Sequence, residues 1–115
     1  MYAGRDWCRL KPPKKVRVGP FVYEITPIKE MGATDQAGGV DLSGQAIIYD
    51  PGLHSMQERD TILHELLHCI IFQTPLRKTI TDQEEEERLV WTLSPRILAL
   101  LRDNPQFVKY LTEKE

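Results

Sequence analysis

Histidine and cysteine are scarce in this chain of 115 residues, three of the first and two of the second. The cysteines, Cys8 and Cys69, lie far apart, so no disulfide framework is implied. Cys69 falls inside an apolar segment and is expected as a buried reduced thiol rather than a partner of Cys8. No stretch approaches the ~20 apolar residues that a membrane span requires. The opening MYAGRDWCRLKPPKK lacks the apolar core of a secretory signal, and a reducing cytoplasmic setting is expected. Positive charge is not in excess: the formal net charge is −2, which argues against nucleic acid as a partner. The basic group Arg9, Lys11, Lys14, Lys15 and Arg17 reads as the solvated flank of a first strand. At this length the chain is expected to be one small domain spanning 1–115, with no room for a large substrate-binding lobe.

What is present divides into strands first and helices after. Residues 1–15 read as irregular, with Pro12-Pro13 blocking helix. Residues 16–28 alternate as a strand, Phe21, Tyr23 and Ile25 on one face. Gly19-Pro20 makes this either two strands with a tight turn or one strand with a bulge. Residues 30–42, rich in glycine, read as loop. Ala46-Ile47-Ile48-Tyr49 is a short β-prone run. Ser55 with Glu58, and Thr81 with Glu84, form two capping-box patterns. They predict helices over 56–72 and 82–102, the second carrying Pro95 as a bend or break. Asn104-Pro105 predicts a short last helix. The order is that of an α+β fold, a small antiparallel or mixed sheet packed on two main helices. Trp7, Trp91, Phe107 and Tyr110 are expected to serve packing.

Two of the three histidines stand in His64-Glu65-Leu66-Leu67-His68, an H-E-x-x-H sequence on the first predicted helix. Residues i and i+4 share a helix face about 6 Å apart, so both imidazoles can point at one metal ion. Glu65, about 100° further round, can reach a water there without ligating the metal. The neighbours Ile62, Leu63, Leu66, Leu67, Ile70 and Ile71 make the helix apolar nearly all round. Two uncompensated histidines would be costly in such surroundings, and a metal would remove the cost.

A catalytic zinc takes three protein ligands and keeps one open position. No histidine follows His68 and no cysteine follows Cys69, which leaves carboxylates, and Asp82, Glu84, Glu85, Glu86 and Glu87 stand together on the second helix. Its apolar stripe centres near Val90, Leu93 and Ile97. Glu86 falls almost on that centre and Glu87 on its shoulder, in line with Val90, Ser94 and Leu101. Periodicity therefore leaves Glu86 and Glu87 open.

His64-Glu65-x-x-His68 followed about twenty residues on by a helical glutamate resembles the gluzincin metallopeptidases. Within them it resembles small phage and bacterial proteins of the ImmA/IrrE type. Glu87, Val90, Leu93-Ser94 and Ile97-Leu98 fall in the register of that family's second helix. The family has Ala-Asn or Ala-Asp where this chain has Val90-Trp91. The resemblance implies a zincin-like fold and Zn2+ held by His64, His68 and Glu87, with Glu86 the alternative third ligand. It implies peptide-bond hydrolysis with Glu65 as general base, in the cytoplasm of a bacterial cell or phage host. It also implies that Ala46–Tyr49 is an edge strand along the cleft, where a protein or peptide substrate adds as a strand. Tyr49, His54 and Arg88 are the side chains considered as donors to the carbonyl oxygen. The other class of function compatible with these residues is a zincin-like protein-interaction module without hydrolysis.

Overall fold

A computed structural model of the chain describes residues 10–29, 37–80 and 82–114. Gly19-Pro20 is a hairpin turn: β1 (Lys15–Val18) and β2 (Phe21–Pro27) pair antiparallel across it, Val18 opposite Phe21. Gly19 sits at φ 60°, where a side chain would be strained. Alternation sorts β2 as its sequence requires. Tyr23 and Ile25 point into the core, while Val22 and Glu24 point out.

The glycine-rich stretch departs from the expected loop. Residues 38–41 form β3 (Gly38–Asp41), paired antiparallel with β4 (Ala46–Tyr49), Val40 opposite Ile47. Low strand propensity is overridden by the ladder to β4 and by a close seat on the helix beneath. A Cβ at Gly38 would stand 2.6 Å from Thr61 Cγ2 and 3.0 Å from the Ile48 carbonyl oxygen, so glycine is what permits the approach. Asp41 shapes the turn that follows, its carboxylate accepting from the Ser43 hydroxyl and the Gly44 N–H, each at 3.0 Å. Both bonds hold that carboxyl below its usual range.

β4 also pairs with β2, in parallel, Ile25 opposite Ile47. The sheet order is β1-β2-β4-β3. Ala46–Tyr49 is thus an interior strand and not the edge strand anticipated above. It is flanked by β2 on one side and β3 on the other, and Ile47, on the face toward α1, is fully buried. The edge on that side is β3.

Four helices follow: α1 (Ser55–Phe72), a single turn α2 (Leu76–Thr79), α3 (Gln83–Asp103) and α4 (Pro105–Thr112). One face of the sheet packs on α1, where Tyr23, Ile25, Ile47, Tyr49 and Cys69 form the core with Ile62 and Leu66 against them. α3 lies along α1 away from the sheet's centre, so α1 is held between the two. The architecture is α+β, a four-stranded mixed sheet with helices. Among the described residues no helix is long and apolar enough to cross a membrane.

The caps sit one residue from their expected places. His54, not Ser55, precedes the first turn of α1, and its carbonyl accepts from the Glu58 N–H at 2.8 Å. The Ser55 hydroxyl is engaged by the Arg59 guanidinium one turn on. For α3 the cap is Asp82, whose carboxylate accepts from the Glu84 N–H at 3.0 Å and adds negative charge at the positive end of the helix. Thr81 lies outside the described residues, as does Cys8. α3 runs unbroken through Pro95, which forfeits a single rung. Asn104 joins α3 to α4, with Pro105 in the first turn as expected. Its side chain turns back to the Leu100 carbonyl, at 2.8 Å, instead of capping forward.

The face of α3 turned to α1 also differs from the apolar stripe. Val90 and Ser94 are buried, while Leu93 and Leu100 are about half exposed. Ser94 is small enough to let the helices close, and its hydroxyl donates to the Asp60 carbonyl at 3.2 Å and to the Asp60 carboxylate. A hydrogen bond between helices, rather than a larger apolar contact, sets the rotation of α3. Glu87, one turn before Val90, is thereby turned toward α1.

Candidate metal centre

His64 and His68 sit one turn apart on α1, their rings 5.0 Å between centroids and inclined at 69°. Their side chains retain 16% and 12% of full exposure, so each needs a polar partner. The partners come from α3. Glu87 Oε1 lies 2.6 Å from His64 Nε2, and its Oε2 lies 3.1 Å from His68 Nε2. One carboxylate therefore spans both Nε2 atoms. Glu86 Oε2 lies 2.6 Å from His68 Nδ1, on the opposite edge of that ring. The histidines are thus compensated by carboxylates, a pairing that the apolar flanks of α1 did not reveal.

Among the described residues, His64, His68 and Glu87 form a cluster whose ligand atoms all lie within 4.8 Å of one another. Such a cluster could hold a metal ion. The fit is testable by size: tetrahedral bonds of about 2.0–2.1 Å place neighbouring ligand atoms about 3.3 Å apart. The two separations from Glu87 to the histidines, 2.6 and 3.1 Å, are shorter than that value, so the carboxylate would draw back slightly to admit an ion. Glu86 is not in the cluster, because residues adjacent on a helix point about 100° apart. Glu84 and Glu85 are exposed.

Glu65 faces the same space and is 8% exposed. Burial pushes its carboxyl up from the ordinary value. The His64 and His68 imidazoles oppose that shift and the Glu87 carboxylate adds to it. A carboxylate that binds a proton more readily than usual suits proton abstraction near neutrality.

The cluster opens onto a cleft of about 710 Å³. Gly38, Gly39 and Val40 of β3 form one wall, Thr61, His64 and Glu65 of α1 the floor, and Glu87 and Trp91 of α3 the other wall. Tyr49, His54 and Arg88 do not line it. Tyr49 is buried in the core under the sheet, His54 is exposed ahead of α1, and Arg88 points away from Glu87 into solvent. Among the described residues no lysine or arginine lines the cleft, and its charged side chains besides histidine are Asp60, Glu65, Glu86 and Glu87. Gln57, Thr61, Gln83 and the Trp91 indole N–H are neutral donors there.

Trp91, expected to serve core or surface packing, is 68% exposed at the cleft wall. Its indole stands edge-on to the His64 ring, 6.1 Å between centroids and 83° between planes. The signal that could have found it is spacing: Trp91 is four residues after Glu87 and shares its face. Phe107 and Tyr110, also exposed, stack on each other at 6.3 Å on α4. Trp7 lies outside the described residues.

Cys69 is on α1 one residue after His68, but it points the other way, into the core beside Tyr23. Burial pushes its thiol up to about 11 from an ordinary 9.0, so it stays protonated and is no metal ligand. The consequence for stability has a definite sign. Below pH 9 the thiol is protonated in folded and unfolded chains alike. Between 9 and 11 the unfolded chain gives up the proton and the folded chain keeps it, so stability falls as pH rises. The full loss is about 2–3 kcal/mol. Urea unfolding across this window should show that loss in the wild type and not in Cys69→Ala. Equal slopes for the two proteins would contradict the assignment.

Comparison with protein families, with curated proteins and with solved structures finds no match to this chain.

Proposed function

We propose that this chain is a minimal zincin-like metallopeptidase of the gluzincin type, similar to the small ImmA/IrrE-type proteins. The observation that carries the reading is the convergence of His64, His68 and Glu87 within 4.8 Å, with Glu65 buried beside them. Two imidazoles and one carboxylate are the donor set of a catalytic zinc site, which keeps a position open. Bound there, zinc would supply Lewis acidity toward a carbonyl oxygen and a water. Glu65 takes a proton from the attacking water and passes it to the amine that leaves. Its burial keeps bulk water from competing for that proton.

The substrate is a protein or peptide in extended form. It would lie along β3, whose outer edge has no paired strand among the described residues and forms a wall of the cleft. Gly38 and Gly39 leave that backbone open to a pairing strand. With no lysine or arginine in the cleft among the described residues, neutral donors such as Gln57 or Thr61 assist the carbonyl oxygen.

The first test is metal content. The chain, purified and dialysed against zinc, should retain one ion by elemental analysis, and His64→Ala/His68→Ala should retain none. Equal zinc in the two proteins, or none in either, would remove the metal reading. A zinc-holding protein-interaction module would pass this test as well, and Glu65 separates the two.

A further inference from the structure

We infer that Glu86 is a positioning residue, holding His68 from its Nδ1 edge so that Nε2 is presented to a metal. The inference rests on the metal reading proposed above and concerns a residue outside the ligand cluster. Each ring nitrogen of His68 faces a different carboxylate: Nε2 meets Glu87 at 3.1 Å and Nδ1 meets Glu86 at 2.6 Å. A carboxylate only accepts, so the short contact to Glu86 is made by an Nδ1–H. Nε2 also faces a carboxylate, that of Glu87, and a metal bound between the two would take the Nε2 lone pair while Glu86 keeps the proton on Nδ1, the tautomer a metal requires.

The geometry separates the roles of the two adjacent glutamates. Glu87 retains 45% side-chain exposure and opens onto the cleft, whereas Glu86 retains 26% and is set against the flank of His68. Glu87 touches both Nε2 atoms, and Glu86 contacts the ring only from behind. His64 is supported differently, by the edge of Trp91, an apolar wall with no acceptor oxygen. Among the described residues, His68 is the histidine of the pair that has a second carboxylate, at its Nδ1.

The measurement is zinc affinity, by competition with a chromophoric chelator, for the wild type, Glu86→Ala, Glu86→Gln and Glu87→Ala. Loss of a partner behind a metal histidine typically costs 10–100-fold, and Glu86→Ala should weaken binding by about that much. Glu86→Gln keeps an acceptor oxygen without the charge and should fall between it and the wild type. Glu87→Ala should bind most weakly. In the zinc-loaded wild type the His68 Nδ1–H should give a protected proton resonance that Glu86→Ala loses, a change that general loosening of the fold would not confine to one ring. If Glu86→Ala does not fold, Glu86→Gln carries the same two measurements. Wild-type affinity in a folded Glu86→Ala overturns the inference, and so does a loss larger than that of Glu87→Ala, which would make Glu86 the ligand. A wild type that holds no zinc overturns the metal reading and the inference together. A wild type that holds zinc as tightly as Glu86→Ala overturns the inference alone.

Discussion

Glu65→Gln is expected to lower peptide hydrolysis by about 10²–10⁴-fold while leaving zinc in place, the range that general base catalysis commands. Gln matches Glu in shape, so the packing around this buried position is preserved. What is lost is the capacity to accept a proton. Glu65 is not one of the clustered ligands, so metal content should be unchanged. Stability should not fall either. Burial penalises the Glu65 charge and the Glu87 carboxylate adds repulsion, so a neutral amide relieves both, although the attraction of the two imidazoles for a carboxylate goes with them. A thermal midpoint at or above that of the wild type, with equal zinc and lost turnover, is the combined signature. Unchanged biological activity in a zinc-loaded Glu65→Gln would make hydrolysis the wrong function and leave the interaction module standing.

The parts of this molecule legible in its sequence are those fixed by local pattern. The i, i+4 pair in His64-Glu65-x-x-His68 forces two imidazoles onto one face of any helix it occupies. Gly19-Pro20 and Asn104-Pro105 punctuate the chain wherever they occur. β3 was illegible because its reason is tertiary. Gly38-Gly39 has low strand propensity, and the strand can sit where it does because Gly38 lets the backbone rest on Thr61. The edge position assigned to Ala46–Tyr49 failed for a related reason, since a missed neighbour turns an interior strand into an apparent edge. On α3, periodicity pointed to the two glutamates that meet the histidines and could not rank them. Apolar residues pointed to Leu93, while the rotation of the helix is set by a serine hydroxyl on Asp60. A polar contact of this kind leaves no trace in hydrophobic pattern.

Glu87→Ala should weaken zinc binding by more than the 10–100-fold that loss of an outer partner costs, and should reduce hydrolysis to background. The reason is geometric. Glu87 is the only side chain of the cluster that comes from α3, and its two oxygens reach the Nε2 atoms of both histidines. Removing it leaves two ligands on one helix and nothing to complete the site from the facing side. Glu86 cannot substitute. It is displaced about 100° around α3 and already engaged at His68 Nδ1, so bringing it to the Nε2 side would require turning the helix against the Ser94–Asp60 contact. Glu87→Asp is the informative companion. It keeps the charge but is shorter by one methylene, so it cannot span both rings from the same backbone position, and it should bind zinc more weakly than the wild type and more tightly than Glu87→Ala. Competition titration of the three proteins gives that order directly. Equal affinity of wild type and Glu87→Ala would mean that α3 supplies no ligand, and the site would reduce to two histidines on α1, too few for a catalytic zinc.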